Sequence, residues 1–412
     1  MSATSSRVSF IGLALVGLST QVALAGTEAP ALEGELEEYE DGAATDGETD
    51  DEEDTATDAE LLFATGFEDC TDLSTVEEYF DVKGYENNRQ GALQYFSGHD
   101  RATDFSWPPD LTWLSSEYPD LDGVAAPIYI NNQVGIGDMD DPTHEETTHY
   151  MWNELVETVD SGGYETRALS MTMMNNPDAT ETGQNNLVMR FADDDMEAPA
   201  LYIKYSMKPS EWIYEALHQR GTRQNEKEDR WHLISEMKAD DSQAPAGEQT
   251  RFRLQVLISI NKGDRRPSYQ LRADFCGPDE YTGEFVCSNP EYWSVVEELT
   301  DEEHRKWKNG EWMPVEIYLD RSPAAKTDTL FYVAINGRTI GDISADDINP
   351  ETGDTFEFWD EDDTPQSYWL LQTLYGLRTV VEEDPAASDY SVLIDDLELW
   401  DDFPCTKPPC AR

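Results

Sequence analysis

In a chain of 412 residues with a formal net charge of −59, the scarce cations draw attention by where they fall. Arg167, Lys204, Lys208, His232, Lys238, Arg251, Arg253 and Arg272 all occur in segments where apolar and polar residues alternate, mostly at the polar positions. Cations gathered on one face of an acidic body suit an anionic ligand. The same residues would equally serve as solvated strand positions balancing nearby carboxylates. Lys204, Lys238, Arg253 and Arg272, with the amide of Gln255, are the candidate ligand contacts. His232 is the one histidine in a clear strand pattern, and with Tyr375 it supplies a group able to move a proton. Nucleic acid is excluded as a partner, because no basic stripe exists to displace its counterions.

Strands must position these residues. Alternation predicts them over residues 165–174, 187–191, 201–207, 230–238, 251–261 and 269–275. In the clearest, Phe252, Leu254, Val256, Ile258 and Ile260 point one way and Arg251, Arg253, Gln255, Ser259 and Asn261 the other. Over 230–238 the same count sets Trp231, Leu233 and Met237 against His232, Glu236 and Lys238. Further strands are expected at 307–320, 329–337, 338–342 and 368–379, with a turn at Asn336-Gly337. Residues 72–80 read as a short helix, and 211–219 as a short helix or loop. Residues 81–160 read as irregular; there Asp138, Asp140, Asp141, His144, Glu145 and Glu146 match no EF-hand or zinc spacing. The apolar run at 388–404 needs a partner along its edge, and residues 61–69 supply it, closing first strand against last. The fold class expected is all-β: a two-sheet antiparallel jelly-roll sandwich with long loops and few helices.

Residues 1–25 carry Arg7, an apolar run and Ala23-Leu24-Ala25, the pattern of a secretory signal peptide. Residues 26–60 hold sixteen acidic and no basic residues, an unstructured acidic linker. Taking its charge from −59 leaves −43 for the remainder, which favours a salty habitat or bound cations. The jelly roll is expected over 61–404, followed by a tail at 405–412, in an exported monomer with no membrane span in its mature form. Of five cysteines, Cys276–Cys287 and Cys405–Cys410 flank short turn-rich loops and are the expected disulfides, leaving Cys70 free or available to another chain.

The GFED at 66–69 and the DDLELWDDFP at 395–404 resemble secreted jelly rolls of the concanavalin A-like lectin/glucanase superfamily, within it the heparin-lyase and alginate-lyase-like polysaccharide lyases. The resemblance implies β-elimination on a uronic-acid polysaccharide. A base would take the proton α to the carboxylate, an acid would serve the leaving oxygen, and a cation or amide would neutralise the carboxylate. His232 is then the candidate base, Tyr375 the acid, and Arg167 or Gln270 the neutraliser, with no redox cofactor. It further implies a structural Ca²⁺ where first and last strands meet, held by Glu68 and Asp395. The chain departs from the lyase pattern at Gln255-Val256-Leu257, where Leu257 stands in the place of the catalytic histidine. Hydrolysis ranks lower, since the glucanase carboxylate signature is absent. The competing expectation is a non-catalytic carbohydrate-binding or adhesion protein on the same fold, with Trp and Tyr platforms against sugar rings.

Overall fold

The computed structural model describes residues 59–76, 91–114, 127–133, 150–174, 184–191, 200–219, 230–240, 250–260, 266–278, 285–287, 293–320, 329–344, 347, 366–375, 389–405 and 409. All belong to the unit Glu53–Arg412. The leader, nearly all of the acidic linker, the cluster at 138–146, the turn at 261–264 and Cys410 lie outside the described residues.

In chain order the elements begin with β1 (Leu61–Thr65), β2 (Thr71–Val76), β3 (Gly91–Asp100), β4 (Phe105–Trp107), β5 (Ile128–Gln133), β6 (Tyr150–Val159), β7 (Glu165–Met174), β8 (Gln184–Arg190) and β9 (Leu201–Pro209). Helix α1 (Glu211–Gln219) precedes β10 (Arg230–Asp240), β11 (Thr250–Ile260), β12 (Ser268–Pro278), β13 (Phe285–Cys287) and β14 (Trp293–Glu298). After α2 (Asp301–Asn309) come β15 (Met313–Leu319), β16 (Thr329–Ile335), β17 (Arg338–Ser344), β18 (Gln366–Tyr375) and β19 (Asp389–Trp400). Among the described residues these form two antiparallel sheets. The smaller runs β17-β16-β15-β9-β19-β7-β6 with β1 on β19; the larger runs β13-β12-β11-β10-β18-β8-β5-β3-β2, with β14 on β12 and β4 on β3. The expected two-sheet sandwich is the fold.

First and last strands pair as expected, antiparallel, from Leu61 opposite Trp400 to Thr65 opposite Leu397. Three expectations are corrected. Residues 72–76 form a strand rather than a helix, because pairing with β3 overrides a weak local preference in a segment rich in Thr and Val. The stretch read as irregular contains β3, β5 and β6, whose polar residues hide their period. Trp307 belongs to α2 and not to a strand. That helix carries a legible start, a capping box in which Thr300 and Glu303 bond each other's backbone N–H.

The inner faces interlock as one apolar core. Leu169, Met171, Ile203, Met207, Val315, Val333, Val392 and Ile394 of the smaller sheet meet Ile130, Leu187, Met189, Ile234, Val256, Ile258, Leu271 and Trp369 of the larger. A buried amide relay crosses the gap: Asn153 Nδ2 donates to Gln94 Oε1 at 2.6 Å, and Asn185 Nδ2 to Asn153 Oδ1 at 2.8 Å. Such a network holds the sheets in one register, since a slip would strand its buried polar atoms. The Asn336-Gly337 turn has both residues at positive φ, 56° and 73°, as a tight hairpin between right-twisted strands requires.

Candidate functional site

Residues directly opposite in an antiparallel ladder project to the same face. On the larger sheet one such line runs Tyr95, Tyr129, Val188, Leu370, Glu236, Gln255, Arg272 and Ser294 across eight strands. Its neighbour runs Arg190, Tyr368, Lys238 and Arg253 and ends on β12 at Asp274. The core-facing residues of these strands, such as Met189, Trp369, Met237 and Leu254, alternate with them, so both lines lie on the outer face. Four cations and two amides thus share one surface: Arg190, Lys238, Arg253 and Arg272 with Gln255 and, further along, Gln270. Lys238 Nζ stands 3.2 Å from Glu236 Oε2, and Gln255 Nε2 donates to Glu236 Oε1 at 2.8 Å. Glu236 is buried, at 1% exposure, so this pair fixes the amide and the ammonium in place.

His232 is not on this face. A β-bulge between Leu233 and Ser235 inserts one extra residue and inverts the alternation. Glu236 and Lys238 keep the outer face, while His232 stands opposite Ile258 and turns to the core. There its ring meets the Trp307 ring edge-on at 6.3 Å, and Nε2 finds no hydrogen-bond partner among the described residues. Burial pushes its pKa down to about 4. A base role on the outer face is thereby corrected; the residue is a neutral core histidine.

That placement has a measurable consequence. The unfolded chain takes a proton on this imidazole near 6.5, the folded chain only near 4. Stability is therefore lost as pH falls through that window, by about 3 kcal/mol in all. Urea unfolding of wild type and His232→Phe at pH 7 and pH 4.5 should show the variant losing less. Parallel losses would place the ring in water.

Two more assignments are corrected. Arg167 lies on β7 of the smaller sheet, where its Nη1 donates to the Thr71 carbonyl at 3.0 Å and ties that sheet to β2. Lys204 lies on the outer side of the smaller sheet, 3.8 Å from Glu398, so the whole sandwich separates it from Lys238. Tyr375 stands opposite Gln184 in the β18–β8 register. Arg190, Glu236 and Tyr368 were not among the candidates. Parity along β8 and β18 could have supplied Arg190 and Tyr368, had those strands been known to be neighbours.

Glu68 and Asp395 do meet. Glu68 Oε1 and Asp395 Oδ2 converge on the Thr166 hydroxyl at 2.8 and 2.9 Å. One hydroxyl proton cannot serve both carboxylates. Burial, then Asp396, raises the Asp395 pKa to about 7, with Glu68 adding to the rise. Excess negative charge of this kind is relieved by a proton or by a hard cation, so the donor set fits calcium chemically. It supplies two oxygens of the six to eight that Ca²⁺ takes. Among the described residues no group of three or more His, Cys, Asp or Glu could hold a metal.

Cys276 and Cys287 stand directly opposite on β12 and β13. Cys70 is an exposed free thiol, and Cys405 is buried. A non-reducing peptide map should link Cys276 to Cys287 and Cys405 to Cys410; a link from Cys70 to Cys405 would contradict the antiparallel β1–β19 pair.

No family model and no curated protein matches this chain. Among solved structures it is similar to an endo-β-1,4-glucuronan lyase from the fungus Trichoderma reesei, at 12% identity over 64% of this chain and 94% of that one, with a TM-score of 0.35. An alginate lyase is similar at 12% identity over 56% and 80%, TM-score 0.30. A botulinum neurotoxin binding domain is similar at 9% over 62% and 44%, TM-score 0.26. Likenesses this distant assign no residue of this chain a role.

Proposed function

We propose that the protein binds an anionic, uronate-bearing polysaccharide along the outer face of its larger sheet and cleaves it by β-elimination. The observation that carries this is the cationic line of Arg190, Tyr368, Lys238 and Arg253 beside Gln255 and Arg272, in a chain of net charge −59. Cations one or two strand spacings apart, about 4.8 Å per strand, offer repeated partners to a polymer carrying repeated carboxylates. Arg253, Arg272 and Gln255 hold and neutralise the carboxylate, which makes the neighbouring C–H acidic enough to lose its proton. With His232 in the core, tyrosine is left as the proton-transfer residue: Tyr368 at the register position between Arg190 and Lys238, with Tyr375 three outward register positions on. A tyrosine in this role accepts the α proton as phenolate and returns one to the leaving oxygen. The reading takes the chain as an exported monomer, on the strength of residues 1–25 and the charge of 26–60.

One observation favours a second reading, a non-catalytic glycan-binding or adhesion protein. Leu257 stands where a lyase histidine is expected, and the nearest histidine faces the core. Incubation with alginate, glucuronan and heparin separates the two. Lyase action gives rising ultraviolet absorbance from the unsaturated product. Binding on an affinity gel with no product supports the second reading, and neither signal with any polymer removes both.

A structural Ca²⁺ at Glu68 and Asp395 belongs to the same proposal. Its chemistry would be to neutralise that carboxylate pair and fasten β19 to the chain leaving β1. EDTA should lower the melting temperature at low salt, and added Ca²⁺ should restore it in wild type but not in Asp395→Asn. An unmoved melting temperature would remove the ion.

A further inference from the structure

Beyond the cationic lines, the same outer face carries a third line of a different character: Asn131, Asn186 and Thr373, directly opposite one another on β5, β8 and β18. Asn186 and Thr373 are 1% and 0% exposed, yet Asn186 Oδ1 and Thr373 Oγ1 have no hydrogen-bond partner among the described residues. They do not point into the sandwich. Their chain neighbours do: Leu187 and Leu374 lie in the core, and Asn185 donates to Asn153 and to the Thr172 carbonyl on the opposite sheet. A second bulge, between Leu370 and Gln372, brings Thr373 rather than Gln372 level with Asn186. Two adjacent buried polar atoms without partners cost stability that apolar side chains of the same shape would not. No charged side chain belongs to this line, so a carboxylate or sulfate is not what it takes. An amide oxygen needs a donor, and a threonine hydroxyl can both give and receive. The ligand group that answers both at neighbouring positions is an uncharged diol.

We infer that Asn186 and Thr373, with Asn131 beside them, form a subsite for the ring hydroxyls of the polysaccharide whose carboxylates lie along Arg190, Lys238 and Arg253. This rests on the reading of the outer face as the polysaccharide surface. Asn186 lies four residues along β8 from Arg190, roughly 13 Å at strand rise, so the two lines serve different sugar units of one chain. The carboxylate line sets which charge is bound, and the hydroxyl line sets which substitution pattern is accepted.

The test uses the full-length protein and whichever of alginate or glucuronan the wild type binds, each in native form and with its ring hydroxyls acetylated. Acetylation keeps every carboxylate and removes the donors. Wild type should prefer the native polymer by about tenfold, the worth of roughly one good hydrogen bond. Thr373→Val and Asn186→Leu should each bind the native polymer about tenfold more weakly and lose the preference. Thr373→Val should also melt no lower than wild type, since it removes a hydroxyl without a partner and keeps the shape. A preference as large in both variants as in wild type overturns the subsite while leaving the polysaccharide reading standing. A wild type that binds neither polymer overturns that reading, and the subsite with it.

Discussion

Arg338→Met should destabilise the protein by about 2–4 kcal/mol, because it strips the buried Glu303 carboxylate of its partly exposed cation. Arg338 sits at the start of β17 and holds α2 against both sheets. Its Nε and Nη2 donate to the two oxygens of Glu303, each at 3.0 Å, and Nη2 also reaches the Glu298 carbonyl at 3.1 Å. Nη1 donates to Glu297 at 3.3 Å, and the guanidinium lies 5.9 Å over the Tyr269 ring. Glu303 is 1% exposed, and its Oε2 also accepts from the backbone and the hydroxyl of Thr300. Without Arg338 that carboxylate keeps only the Thr300 cap inside a region closed by Trp307 and Tyr269, themselves joined by an indole-to-phenol bond of 3.0 Å. Urea unfolding reads the cost. The Arg338→Met, Glu303→Leu double variant should recover part of the loss, because no buried charge is then stranded. A single-variant loss below about 1 kcal/mol would mean the pair behaves as an exposed one.

Tyr368→Phe should lower the rate of unsaturated-product formation by about two to four orders of magnitude while leaving polymer binding nearly unchanged. The hydroxyl is what the proposed chemistry needs; the ring is retained. Lys238→Ala should instead weaken binding and rate together, since it removes a carboxylate partner and leaves the buried Glu236 without its cation. His232→Phe should leave the rate intact, because that ring lies on the far side of the sheet. A Tyr368→Phe enzyme that keeps its rate would move the acid–base role to Tyr375. If Tyr368→Phe and Tyr375→Phe both kept it, the tyrosine mechanism would fail, and another group would have to move the proton.

Much of the frame was legible in the alternation. Leu254, Val256 and Ile258 face the core as their spacing requires, because a pleated strand offers its sides in strict turn. The Asn336-Gly337 turn and the pairing of the first strand with the last were readable for equally local reasons, turn chemistry and an apolar edge in need of a partner. Grouping Lys238, Arg253, Arg272 and Gln255 on one face also followed from parity along single strands. What parity could not carry was position across a bulge. One extra residue at Ile234 sends His232 to the core and keeps Lys238 outside, and nothing in RWHLISEMK marks where it falls. Nor does any strand announce its sheet. Lys204 and Lys238 have similar local settings, yet β9 lies between β15 and β19 and β10 between β11 and β18, so the two lysines face opposite sides of the sandwich. The lines that make the candidate site join residues as distant as Tyr95 and Leu370, and only long-range pairing puts them level. Between bulges, sequence determined the faces of each strand; tertiary pairing decided where the bulges fell and which faces became one surface, because register is a relation between strands and not a property of either.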